Sequence, residues 1–450
     1  MMPFPKDFVW GAASSAYQIE GYDLADGGGA SIWHTFTHTP GKIAWGDTGD
    51  IACDAYHRYE EDIALLKELG VSAYRFSTSW ARIDPNGDGN WNPAGISYYD
   101  KLVDFCLKNG IEPYMTLYHW ELPQAVQDRG GWQQEETAYS FGLFAGMMAD
   151  HFKGRVKYFF TLNEPQCTTS LGYAQGIHAP GLQLEPSEVF RVHVHQMMAH
   201  GLAQRAIKAA DPYAVVGIAS TGNLCYPSQE TQEDIHAART ATFATDPANW
   251  IFTHHWLLDP ICFGKFPECS GTALESLVNQ VTPDQLQIIH AVPDMLGYNI
   301  YNGHEVRSCA EGFEHVPKYP GFPRTALKWP VTPGVMNWGV RFLQERYNLP
   351  GYITENGLSC NDRVYLDGNV HDIERIDFLS RYLTALAQAV ENSADIRGYF
   401  HWAVTDNFEW HSGYGERFGL VFVDYPTGKR TPKDSYHWYQ NLIRTGISDF

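Results

Sequence analysis

The 450-residue chain has no Cys-x-x-Cys pair. Its eight cysteines (Cys53, Cys106, Cys167, Cys225, Cys262, Cys269, Cys309 and Cys360) stand singly. That spacing disfavours both a zinc ribbon and a disulfide framework, and reduced thiols in a cytoplasmic protein are the expectation. No Asn-x-Ser/Thr sequon is present, which agrees with that compartment. No apolar run reaches 18 residues, so no membrane span is expected. The start MMPFPKDFVWGAASSAYQIEG lacks the basic segment and apolar stretch of a secretory signal. Nor is there a Lys/Arg-rich run: 52 acidic against 32 basic residues give a net charge of −20, which argues against a nucleic-acid partner. No internal repeat is visible.

Two constellations that resemble metal or phosphate motifs come out bland. HVHQMMAH (193–200) holds three histidines, but at i, i+2 and i+7 rather than i, i+4, so structural histidines are expected there and at His254-His255. DGGGA (26–30) does not join a strand to a helix, so it is read as a flexible turn, not a phosphate loop. The chain is therefore expected to need no cofactor and no metal.

What the chain has in quantity is aromatic: 14 Trp, 26 Tyr and 24 Phe. Most belong in a core, but several fall beside Gly, Asn, His and acidic residues. Short apolar runs alternate with amphipathic helices. Strands are expected at 7–13, 73–77, 111–120, 156–164, 214–220, 295–301, 351–357 and 396–403. Helices follow most of them, for instance over 373–392, where Ile376, Leu379, Leu383, Leu386 and Val390 share a face. A helical insertion is expected up to about 290. Eight such alternations point to a parallel barrel. The Pro/Gly-rich stretch 305–334 contains Tyr319, Phe322 and Trp329, which favours an ordered loop over a site rather than a linker.

In a parallel barrel, chemistry collects at the C-terminal strand ends. Those ends hold Arg75, His119-Trp120, Asn163-Glu164, Asn299 and Tyr301, Glu355-Asn356, and Trp402. Two carboxylates thus face one cavity, as cleavage of a glycosidic bond requires. The aromatic strand before Glu164 should desolvate it and keep it protonated, while Arg75 and Tyr301 should hold Glu355 ionised.

TLNEP (161–165) and ITENG (353–357), with FVWGAASSAYQIEG (8–21) and WAVTDNFEWHSGYGERFGL (402–420), resemble the motifs of glycoside hydrolase family 1, the retaining β-glucosidases and relatives. The resemblance runs over the whole chain in the family's order. It implies an α/β fold, a (β/α)8 TIM barrel forming one domain over 1–450 with long loops at its C-terminal face. It further implies Glu164 as acid/base and Glu355 as nucleophile. Gln18 and Glu409 would bind hydroxyls far from the anomeric carbon, and His119 and Asn163 those nearer it. Trp402 and Trp410 would pack on the sugar's apolar face. Trp120, Asn299, Tyr301, Trp329 and Phe418 complete the expected substrate contacts, and Arg75 supports the nucleophile. Two departures stand out. Gln166 replaces an aromatic common in the family, implying a more polar aglycone side, and Ile300 replaces the first of two adjacent tyrosines.

The expected activity is an exo-β-glucosidase acting on cellobiose and on aryl or alkyl β-glucosides, with β-fucosides and β-galactosides as further substrates. Small β-glucosides and glucose would be its partners, and a homo-oligomer is compatible with the sequence. A 6-phospho-β-glucosidase is the nearest rival, disfavoured because Glu409 would repel a phosphate. A non-catalytic carbohydrate-binding barrel should have lost one carboxylate. A metal-dependent barrel hydrolase lacks a His/Asp ligand cluster at its strand ends.

Overall fold

A computed structural model describes residues 4–446. Eight parallel strands close into a barrel in chain order: β1 Val9–Ala13, β2 Ala73–Ser77, β3 Glu112–Tyr118, β4 Tyr158–Asn163, β5 Val215–Thr221, β6 Met295–Asn299, β7 Gly351–Asn356 and β8 Ile396–Trp402. β8 returns to β1, with Ala13 opposite Trp402. Each strand is buried on both faces, which is why these segments read as nearly continuous apolar runs. The main outer helices are α1 Ala55–Leu69, α2 Pro93–Lys108, α3 Glu136–His151, α4 Pro186–Ala210, α5 His254–Phe263, α6 Gly334–Tyr347, α7 Ile373–Glu391 and α8 Asp434–Thr445.

Local signals place the helices. Ile63, Leu66 and Leu69 turn one face of α1 inward, and Gly70 stops it at φ 87° by donating to the Leu66 and Lys67 carbonyls. Asn92 caps α2, its side chain accepting from the Ala94 N–H at 3.2 Å, and Pro93 fills the first turn. Two apolar cores result. One lies between barrel and helices. The other fills the barrel with Tyr114, Phe160, Met295, Tyr352 and Phe400. Gly217 and Gly297 flank Phe160 so closely that a Cβ on either would sit 3.0 Å from its ring.

Three segments differ from the sequence reading. The insertion after β5 is not wholly helical, since Cys225–Pro227 pairs with His304–Cys309. That strand forms a hairpin with Gly312–His315, where a loop was expected. Of the three aromatics named in that stretch, Trp329 reaches the central cavity, beside Leu327; Tyr319 packs on Phe322 at 5.1 Å and is largely exposed. The 26–30 turn is tightly packed, a Cβ at Gly28 meeting the Asp23 carbonyl. His193 and His200 are buried and bonded to the Trp256 carbonyl and the Thr161 hydroxyl. All eight cysteines are free thiols; seven are buried and Cys309 is partly so. Among the described residues no helix is long and apolar enough to cross a membrane.

A charge network anchors the loop after β8. Lys433 Nζ meets Asp406 at 2.6 Å and Asp362 at 2.5 Å. Arg375 joins Asp362 to Asp372, and Arg417 holds Asp406 at 2.6 Å. Three cations meet three anions, and all but Arg417 are essentially inaccessible. Removing one partner of a buried pair strands the others. Lys433→Met is therefore expected to cost about 3–5 kcal/mol, seen as a lower denaturation midpoint in urea. An unchanged midpoint would show that the network adds nothing.

Candidate active site

β4 and β7 each carry a register shift just before a glutamate. In β7, Tyr352 packs inside the barrel and Ile353 packs outward, so strict alternation would send Glu355 outward too. The shift between Ile353 and Glu355 turns that side chain into the cavity. In β4 the shift lies between Phe160 and Asn163. Glu164 then adopts a left-handed backbone, φ 46°, with its N–H held by the Ala219 carbonyl at 2.9 Å. Such a conformation is uncommon in a residue with a side chain and persists where surroundings impose it. Pro165 follows directly and starts a short helical turn.

Arg75 from β2 reaches beneath the cavity at the C-terminal ends of the strands. Its guanidinium donates to Glu355 Oε1 at 2.7 Å, to Asn163 Oδ1 at 2.6 Å, to Thr116 Oγ1 at 3.2 Å and to the Thr354 carbonyl at 3.2 Å. Tyr301 donates its hydroxyl to Glu355 Oε2 at 2.8 Å. Asn299 donates to Glu164 Oε1 at 2.8 Å and to Asn163 Oδ1 at 3.0 Å. Burial pushes the Glu164 carboxyl up to about 8, and the nearby Glu355 charge pushes the same way. Burial also raises Glu355, but Arg75, then Tyr301 and Asn299, oppose it. The pair is thus asymmetric, with Glu355 ionising first.

The surrounding cavity holds about 500 Å³. Nine of the eleven residues expected to touch substrate line it: His119, Trp120, Asn299, Tyr301, Trp329, Trp402, Glu409, Trp410 and Phe418. His119 lies 5.7 Å from Trp402 and 5.8 Å from Trp410, nearly parallel to both. Its burial, with Arg75 nearby, depresses its pKa well below the usual imidazole range, so it is neutral. Tyr301, Trp329 and Phe418 form an aromatic cluster across from it. The Glu409 carboxyl is pushed up to about 8 by burial and by Glu416.

Gln18 and Asn163 sit one bond behind the lining. Gln18 Nε2 donates to Asn407 at 3.0 Å, to the Phe408 carbonyl at 2.9 Å and to Glu409 at 3.3 Å. Asn163 is fully buried between Arg75, His119 and Asn299. Gln166 does not border the aglycone side as its position suggested. It turns outward, donating to Ser220 Oγ at 2.9 Å and to the Thr253 carbonyl at 3.4 Å, while Cys167 lines the cavity instead. Leu171, His178, Asn223, Phe252 and His411 also line it, and sequence reasoning had not named them. Asn223 lies two residues past β5, which like β1 contributed no residue to the strand-end reading. The lining contains no Lys and no Arg.

Comparison with known proteins agrees with this architecture. Residues 1–447 match the family described as Glycosyl hydrolase family 1. "Beta-glucosidase A" of Thermotoga maritima is 40% identical, covering 99% of both chains. A "Bifunctional beta-D-glucosidase/beta-D-fucosidase" of Bifidobacterium breve is 40% identical over 98% of both. The solved structure of a Thermotoga maritima β-glucosidase in complex with castanospermine superposes at TM-score 0.91, with 39% identity and full coverage of both chains. Two asymmetric carboxylates at the ends of β4 and β7, in a barrel matched from end to end, place this chain in glycosyl hydrolase family 1.

Proposed function

We propose that the chain is a retaining exo-β-glucosidase that releases glucose from terminal non-reducing β-D-glucosyl residues, with residues 1–450 acting as one catalytic unit. The observation that carries this reading is the unequal pair, Glu355 under Arg75 and Tyr301, Glu164 desolvated beneath Asn299. Asn299 donates to Glu164 Oε1 at 2.8 Å, while Arg75 and Tyr301 donate to Glu355 at 2.7 and 2.8 Å. Membership of glycosyl hydrolase family 1 supports retention through a covalent intermediate rather than direct attack by water.

In this reading the Glu355 carboxylate attacks the anomeric carbon as the bond to the aglycone oxygen breaks. The Glu164 proton goes to that oxygen, so the alcohol leaves neutral and a glycosyl ester remains. Water then attacks the ester, Glu164 takes the water's proton, and Glu355 departs as carboxylate. Two inversions give net retention. His119, Glu409 and Trp402 would grip the sugar, with Gln18 orienting Glu409 and Asn163 orienting His119. A cavity wall without Lys or Arg favours an uncharged glucoside over a 6-phosphoglucoside. The relatives' names, a β-glucosidase, a 1,4-β-D-glucan glucohydrolase and a β-D-glucosidase/β-D-fucosidase, support β-glucosides, β-1,4-glucans and β-fucosides as substrates. Eight unpaired thiols support a cytoplasmic enzyme.

Glu164→Gln is expected to lower kcat for p-nitrophenyl β-glucoside ~10²–10⁴-fold. Added azide should restore turnover and yield the β-glucosyl azide. Glu355→Gln should be inactive with or without azide, and full activity in either variant would overturn the assignment.

The pH profile tests the same roles. Catalysis needs Glu164 protonated, so kcat/KM should fall as pH rises through about 8, and Glu164→Gln should remove that limb. If the limb instead disappears in Glu409→Gln, it reports the sugar-binding carboxyl and not the acid. Arg75→Met should move the acid limb to higher pH, because the cation that favours ionised Glu355 is gone.

A further inference from the structure

HTFTH, residues 34–38, sets two imidazoles at i and i+4, the helical spacing that His193 and His200 lack. Both belong to the short helix Ile32–Thr37 and its C-cap. Trp33 and Phe36 bury one side of this helix, Trp33 lying 4.5 Å from Trp410. On the other side His34 is partly exposed and His38 exposed, their rings stacked 4.3 Å apart. One ligating atom each from His34, His38 and Asp50 lie within 4.8 Å of one another.

The outer contacts of the two rings separate this cluster from an ordinary surface ion pair. His38 Nδ1 is 2.7 Å from the His34 carbonyl, which accepts its proton. His34 Nδ1 is 2.8 Å from Asp23 Oδ2. With its Nδ1 so committed, a neutral His38 carries its lone pair on Nε2, which faces Asp50 Oδ2 at 3.2 Å. A carboxylate or carbonyl on the far nitrogen is what orients a metal-ligating histidine. Ligating atoms of two imidazoles and a carboxylate gathered this closely can share one cation.

We propose that His34, His38 and Asp50 bind one first-row divalent cation, with Asp23 as the outer carboxylate. Two imidazoles and one carboxylate suit Zn²⁺; Ca²⁺ and Mg²⁺ prefer oxygen alone. Three protein ligands leave water to complete the shell, and none of the three lines the cavity that holds Glu164 and Glu355, so the ion takes no part in the glycosidic chemistry. Its position gives it a structural role. Asp50 belongs to the loop whose Asp47 accepts the Tyr414 N–H at 2.9 Å and whose Thr48 carbonyl accepts the Tyr414 hydroxyl at 2.7 Å. An ion here ties the 32–37 helix to that loop and, through Tyr414, to the turn carrying Trp410.

Calorimetric titration of the chelator-treated full chain with Zn²⁺ tests this. One ion per chain is expected, with micromolar affinity and a higher thermal midpoint. His38→Gln and Asp23→Asn should each weaken binding ~10–100-fold and abolish the thermal gain while leaving zinc-free glucosidase activity unchanged. Circular dichroism checks that each variant is folded. Binding weaker than millimolar overturns the proposal. So does an affinity unchanged in His38→Gln, or binding that is lost on alkylating the thiols instead.

Discussion

One buried guanidinium organises the barrel's upper end. Arg75 touches β3, β4 and β7 through Thr116, Asn163, Thr354 and Glu355, so four of eight strands converge on a single cation. It also lies over the Phe160 ring at 5.5 Å, an apolar surface that withholds water from it. Such a cation needs a counter-charge, and Glu355 supplies one. A second full negative charge nearby would be uncompensated. The proton retained by Glu164 is therefore the electrostatic complement of Arg75, and the asymmetry of the carboxylates follows from counting one cation against two acids.

That asymmetry depends on where the backbone aims each side chain. Both glutamates follow a register shift, and Glu164 adds a left-handed residue before Pro165. Regular strands alternate, and strict alternation in β7 would have turned Glu355 toward the helices. The site is thus made by local departures from the pattern that makes the barrel. The wall opposite uses other means: Asp406 fixes the loop after β8 through Lys433 and Arg417, well away from the sugar.

Much of this was legible in the chain. The eight strands fall where apolar runs lie because a parallel strand buries both faces and so writes itself continuously. Boundaries erred mainly by extension: 295–301 continued past Asn299 because Ile300 and Tyr301 look like strand, while Ile300 packs in the core and Tyr301 serves as cavity wall. The carboxylates were legible because a Glu after an apolar run is costly without a partner. Gln166 was misjudged because sequence distance from Glu164 does not reveal direction, and the turn after Pro165 points it at Ser220. Tyr319 and Phe322 were misassigned because an aromatic pair can satisfy itself on the surface. Leu171, Asn223 and Phe252 come from separate loops that converge only once the barrel closes, and nothing in their neighbourhoods announces it.

The thiols carry a consequence of a different kind. Seven of the eight cysteines are shielded by the fold rather than by bonds to one another. Burial also raises the pKa of most of them, for Cys106 and Cys225 to about 12, so they are inert while the chain stays folded. Opening the barrel in air releases a set of ordinary thiols with no native pairing to find, and random cross-linking then competes with return. Heat inactivation of this protein is in that sense a race against oxygen, and its reversibility is governed by the reductant as much as by the fold.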